Sequence, residues 1–250
     1  MSSTVADRAR VGGRRIRRNL SDAVAIDTRT LAVFRVFLGL LIIADVLLRL
    51  RNFSFYYADS GAVPRSLAMD ATADTAISVF YITTSPAVTL ALFGVGTLVA
   101  CQLIVGYRTT LATVLSLVFV VSVDHLNPFV LSYADTLFRL LLFWAIFLPL
   151  GERWSIDAVH TDSQPRAAVA SVASALILSQ MVYMYFMNWY HKYGDELWTS
   201  GEATPLIMGL DDTTFLLGEF TRNFPTLLQY GGLGWYYMLA FSWLLIFLAG

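Results

Sequence analysis

Apolar residues fall in long, nearly unbroken runs, and short polar clusters separate them. The first run, 31–50, matches the roughly 20 residues a helix needs to cross a bilayer. A mixed stretch follows over 51–84, where Asn52, Asp59, Gly61, Pro64, Asp70 and Asp74 break any long span. Within it, 76–83 predicts a short interfacial helix. A second run covers 86–107, Arg108 marks a tight turn, and a third covers 110–123. Asp124, His125, Asn127 and Pro128 make a polar break before a fourth run, 129–150, which closes at Gly151-Glu152-Arg153. A polar loop with Asp157, Asp162, Pro165 and Arg166 leads to a fifth run, 167–190. Residues 191–231 are mixed again, with Pro205, Pro225 and several glycines, and 232–250 is a sixth run. The pattern predicts an all-α, multi-pass transmembrane helix bundle of about six spanning helices. Extra interfacial helices are expected on its outer side between 196 and 231. The chain stops flush with the sixth run, as expected of a helix ending at the terminus or of a shortened chain.

Composition strengthens this picture. Of the 250 residues, 57% are hydrophobic and 14% charged, and the mean hydropathy is +0.62. Ordinary globular chains carry roughly a quarter charged residues. So few charges cannot cover a soluble body, and the excess apolar surface must face lipid. Disorder, nucleic-acid binding and a disulfide scaffold are excluded, the last because Cys101 is the single cysteine.

The net charge of −1 hides an uneven distribution. Residues 1–28 form a basic arm in which Arg8, Arg10, Arg14, Arg15, Arg17 and Arg18 lie within eleven positions. It lacks the apolar core of a secretory signal. Such a tail can bind nucleic acid or lipid, or can act as a topology signal held in the cytoplasm. The positive-inside rule favours the last. Six crossings from a cytoplasmic N-terminus put 51–85, 124–133 and 191–231 outside, where Arg51, Arg65, Lys192 and Arg222 are the cations. Arg108, Arg153 and Arg166 then lie inside with the arm. The expected location is the cell membrane, with residues 29–250 as the membrane domain.

Charges inside the runs are the candidate chemistry. Arg139 lies eleven residues from both Pro128 and Leu150, at a depth that costs about 2.5–3.5 kcal/mol on insertion scales. Asp135, one turn earlier, is spaced to meet it. The pair is either a structural brace or one polar wall of an internal site. Asp45 and Arg49 repeat the spacing, and Arg35 is close enough to the inner end to snorkel, so these three read as structural.

Sixteen of the seventeen basic residues are arginine; Lys192 is the only lysine. A GC-rich genome explains the scarcity but not the position. Lys192 sits in Asn188-Trp189-Tyr190-His191-Lys192-Tyr193-Gly194-Asp195-Glu196-Leu197-Trp198. Trp189 and Trp198 suit a membrane interface, and the lysine can be a snorkelling anchor. Alternatively, a lysine at the apolar mouth of a bundle is poorly hydrated, which lowers its pKa and yields a base or nucleophile. His191 and Asp195 can tune it, and a close carboxylate would raise the pKa instead. The chain has no P-loop, CxxC, HExxH or GxSxG motif. His125, His160 and His191 are too scattered to predict a metal site. Gly94-Val95-Gly96 allows close helix packing.

Taken in order, Asp27-Thr28-Arg29-Thr30-Leu31-Ala32-Val33-Phe34-Arg35, Gly39 and Asp45 resemble the first helix of the HTTM (horizontally transferred transmembrane) domain. The similarity continues through Asn127-Pro128, Asp135, Arg139, Phe143-Trp144, Pro149, Gly151, Trp154-Ser155 and Asp157, and then His191-Lys192, Gly194, Trp198 and Gly201. This domain forms the membrane part of vitamin K-dependent gamma-carboxylases, which use a reduced quinone, oxygen and carbon dioxide to carboxylate glutamate side chains. The resemblance implies that Lys192 is the catalytic base, acting toward reduced vitamin K or a menaquinone-type quinol. In the enzyme reading Asp135 and Arg139 are polar wall residues, His191 or Asp195 modulates Lys192, and an exported protein or peptide is the acceptor. The neighbourhood of the family's assisting histidine holds Tyr133, Ala134 and Asp135 here, and the resemblance does not extend to the large lumenal region of eukaryotic carboxylases. Quinone binding by a prokaryotic member is therefore the firmer expectation. The alternative is a non-catalytic membrane protein: a lipid or quinone binder, a transporter module or a subunit anchor.

Overall fold

The computed structural model describes residues 21–72, 76–161, 163–210 and 218–244. The arginines of the basic arm, Asp74, Asp162 and positions 245–250 of the sixth run lie outside the described residues. The described chain is mainly helical, and three helices are long and apolar enough to cross a membrane. It divides into two compact units, one spanning Val24–Ile177 and the other holding the described residues up to Ala23 and from Leu178 on.

The first unit opens with β1 (Ile26–Asp27), followed directly by α1 (Thr28–Arg51). Asp27 starts that helix, its carboxylate accepting the Arg29 N–H at 2.7 Å. Short helices α2 (Phe53–Tyr56) and α3 (Arg65–Ala71) and a 3-10 turn at Val79–Ile82 follow. Next come α4 (Pro86–Val105), α5 (Thr109–Leu126), α6 (Tyr133–Ala145) and the single turn α7 (Ile156–Val159). β2 (Ala168–Val169) pairs antiparallel with β1, Ile26 opposite Val169, and leads to α8 (Val172–Lys192).

α1 packs on α4, α4 on α5, and α5 on α6. Leu38, Ile42 and Val46 are buried at four-residue spacing on α1, while Phe37, Leu40, Leu47 and Leu48 stay exposed. A helix apolar on every face, with one face packed, suits a lipid surround. Phe80, Phe93 and Phe119 fill the centre, with Phe93 meeting Phe119 edge-on at 5.9 Å between centroids.

The turn between α4 and α5 explains Arg35. Gly106 adopts φ +71°, and a side chain there would run into the Arg35 guanidinium and Ser155. Arg35 does not snorkel; it is 0% exposed. Its Nη1 donates to the carbonyls of Leu150 (3.0 Å) and Arg153 (3.3 Å), and its Nη2 to Trp154 (2.5 Å). The loop after α6 thus supplies the acceptors that water would otherwise supply. Arg35→Met leaves those carbonyls without a charged donor and is expected to cost roughly 2–3 kcal/mol. Thermal unfolding of the detergent-solubilised protein checks this, and an unchanged midpoint contradicts it. Asp157 closes the same turn, accepting from Arg108 N (2.8 Å), Thr109 N (2.7 Å) and Thr109 Oγ1 (2.6 Å). Burial alone would raise its carboxyl, but these hydrogen bonds prevail and hold it below the usual aspartate range.

The later runs depart from expectation. The fourth, 129–150, is helical only as α6, whose 13 residues reach about 20 Å. Pro128 opens a 3-10 turn, Ser132 and Asp135 form a capping box that fixes the start, and the helix ends ahead of Pro149. The fifth run becomes α8, a few residues later than expected at both ends, with Gln180 and Asn188 diluting its apolar stretch. In the second unit, the described residues between 196 and 231 hold the short helices α9 (Glu196–Thr199), α10 (Ala203–Met208) and α11 (Gly218–Thr221). α12 (Pro225–Ala240) begins seven residues before the expected sixth span, because Pro225 suits a first helical position.

Candidate functional site

Lys192 is the last residue of α8. Gly194, at φ +85°, turns the chain, and Asp195 caps α9 by accepting from Leu197 N (2.9 Å) and Trp198 N (3.3 Å). This capped turn brings the Trp198 ring under the amine, with Nζ 4.0 Å from its centroid. Gly201, at φ +81°, lets the next segment approach α12, where Gln229 Nε2 donates to the Ser200 carbonyl at 3.0 Å. α10 then packs on α12.

A cavity of about 360 Å³ opens among these pieces. Lys192, Trp198, Thr204, Ile207, Leu228 and Trp235 line it, together with Gly231 and Gly232. Its size falls at the low end for small-molecule sites, and one amine and one hydroxyl are its main polar features. Burial lowers the Lys192 pKa, and among the described residues no carboxylate opposes that shift. Asp195 is occupied as a helix cap, and His191 is exposed beside Tyr190. Neither lines the cavity. Trp189 packs against Phe186, Tyr193 and Tyr236, so it braces α8 against α12.

Sequence reasoning missed Thr204, Trp235 and the glycines. The signal was present in Gly231-Gly232-Leu233-Gly234-Trp235, since side-chain-free positions next to an indole on a helix leave a groove. A side chain at Gly231 would meet nothing within 4 Å.

The charged residues of the first unit form a separate cluster. Arg49 is its hub: Nε meets Asp45 at 2.7 Å, Nη1 donates to the Tyr57 hydroxyl at 2.7 Å, and Nη2 lies 3.4 Å from Asp135. Arg139 Nε turns to Asp124 at 3.3 Å, and its Nη2 donates to Thr136 at 3.2 Å. The expected meeting of Asp135 with Arg139 is thus replaced by contacts to neighbouring helices. Asp135 Oδ2 is committed to the Ser132 cap. Asp124, expected only as part of a polar break, is 1% exposed and faces both arginines. Burial raises the Tyr57 phenol, although the Arg49 guanidinium pulls the other way.

No protein-family model, no curated protein and no solved structure matches the chain.

Proposed function

We propose that this is a multi-pass cell-membrane protein of the HTTM type, with six spans and a cytoplasmic N-terminus. In this reading it binds a quinol in the cavity beside Lys192, and Lys192 acts as the base. The observation that carries the reading is the only lysine of the sequence lining an apolar cavity, with no carboxylate among the described residues that line it. The aromatic walls, Trp198 and Trp235, suit a flat ring system, and the aliphatic residues Ile207, Leu227 and Leu228 suit its isoprenoid tail. Bound there, a reduced naphthoquinone supplies an acidic hydroxyl and two electrons for oxygen. The chain supplies the rest: neutral Lys192 takes the hydroxyl proton, and apolar walls keep water from competing for it. Carboxylation of glutamate on an exported protein or peptide rests on the family resemblance.

One observation favours the non-catalytic reading. The seat of Nζ over the Trp198 face stabilises the ammonium form, opposing desolvation. A charged lysine there would bind an acidic lipid or quinone without chemistry. Purified protein given reduced naphthoquinone and oxygen separates the two, with turnover compared between the native protein and Lys192→Ala. Loss of turnover with Lys192→Ala supports the base; equal turnover removes it.

A further inference from the structure

The charged cluster of the first unit is unbalanced and opens into a cavity of its own. Three carboxylates, Asp45, Asp124 and Asp135, face two guanidiniums, Arg49 and Arg139. All but Asp135 and Arg139 lie on helices apolar enough to cross a membrane. Asp124 is 1% exposed, and its Oδ2 is buried without a hydrogen bond among the described residues; Arg139 pairs with Oδ2 at 3.3 Å and Arg49 with Oδ1 at 3.7 Å by charge alone. A carboxylate has room for about four donors, and a buried one without them is costly.

Beside this group lies a cavity of about 290 Å³ whose remaining walls are apolar, chiefly Leu41, Val120, Phe138 and Leu141. Leu41 and Ala134 at its edge are exposed, so it opens on the apolar outer surface of α1 and α6. The cavity therefore joins a polar end one positive charge short to a greasy remainder reached from the side. A bare metal ion suits it poorly. Among the described residues no three His, Cys, Asp or Glu side chains converge as a metal site requires.

We propose that this cavity binds an amphiphilic ammonium: a protonated primary amine on a hydrocarbon chain, entering from the bilayer. The amine donates to Asp124 and completes the charge balance, and the chain lies along Leu41, Val120 and Phe138. An aminolipid headgroup and a free alkylamine share this chemistry.

The test uses the full chain in detergent, titrated with octylamine and, separately, octanol, and followed by calorimetry. Octylamine is expected to bind saturably, with octanol weaker by about tenfold or more, the factor set by a charge-assisted hydrogen bond. Asp124→Asn is expected to abolish that preference. Because Asp124→Asn can also weaken the fold, Ala134→Trp provides a second arm, blocking the mouth without touching an ion pair. It should lose octylamine binding while keeping the native unfolding temperature. Reconstitution in nanodiscs with and without phosphatidylethanolamine then identifies the source. Competition between that lipid and octylamine assigns the site to a headgroup, and its absence assigns the site to a free amine. Equal affinity for octylamine and octanol, or octylamine binding unchanged in Ala134→Trp, overturns the proposal.

Discussion

Lys192→Ala is expected to lower quinol-dependent oxygen consumption by roughly 10²–10⁴-fold, the usual contribution of a positioned general base. Binding of the quinone should weaken far less, because the cavity walls are mostly tryptophan and aliphatic side chains that the substitution leaves in place. Lys192→Arg keeps a cation and should not rescue, since a guanidinium stays protonated and cannot serve as the base. The pH dependence has a definite sign. Desolvation lowers the Lys192 pKa, so folding shifts the balance toward the neutral amine relative to a solvated lysine. Activity of the native protein should rise with pH and level off before the ordinary lysine value of about 10.4. The stability linkage runs the same way: burial of the ammonium is a penalty at neutral pH that is relieved as pH rises through the folded pKa. A turnover profile flat from pH 6 to about 10 would contradict the assignment.

Arg49→Met is expected to be the most damaging single change in the first unit, at about 3–5 kcal/mol. Arg49 bridges Asp45, Tyr57 and Asp135 and approaches Asp124. Methionine keeps much of the volume but strands those groups, leaving Asp124 with Arg139 alone. Asp45→Asn should cost far less, because the Asp45 side chain is 39% exposed and water can replace its partner. Arg49→Lys should recover only part of the loss, since an ammonium cannot reach several acceptors at once with a planar fork. Chemical unfolding in detergent checks the order, and equal costs for Arg49→Met and Asp45→Asn would contradict the hub role.

The first three runs were legible because lipid demands uninterrupted apolar helix, and 31–50, 86–107 and 110–123 became α1, α4 and α5 with ends shifted by only a few residues. The fourth was less legible. Hydropathy sees 129–150 as continuous, but Pro128, the Ser132 cap and Pro149 divide it by backbone chemistry. The ion pairs were half legible for a related reason. Spacing of four residues reports contacts within one helix, and it found Asp45 with Arg49. It could not report that α1 and α5 would present stronger partners to Asp135 and Arg139, nor that Asp124 would sit between them. Arg35 looked free to snorkel because its acceptors are carbonyls more than a hundred residues away.

The Lys192 site divides the same way. The solitary lysine and its aromatic setting were visible in sequence, as was Trp198 close downstream. The wall was not, since Thr204, Leu228 and Trp235 meet only once α10 packs on α12. The local roles proposed for His191 and Asp195 rested on adjacency. The turn at Gly194 gives Asp195 to the helix cap and leaves His191 exposed.

A single lysine makes the decisive measurement direct. Protein labelled with ¹³C at the lysine ε carbon carries one such side-chain resonance, and its shift can be followed with pH in detergent. A midpoint clearly below the ordinary value of about 10.4 is the predicted result. A midpoint at or above that value would mean a solvated or paired ammonium, and the base assigned to Lys192 would be wrong.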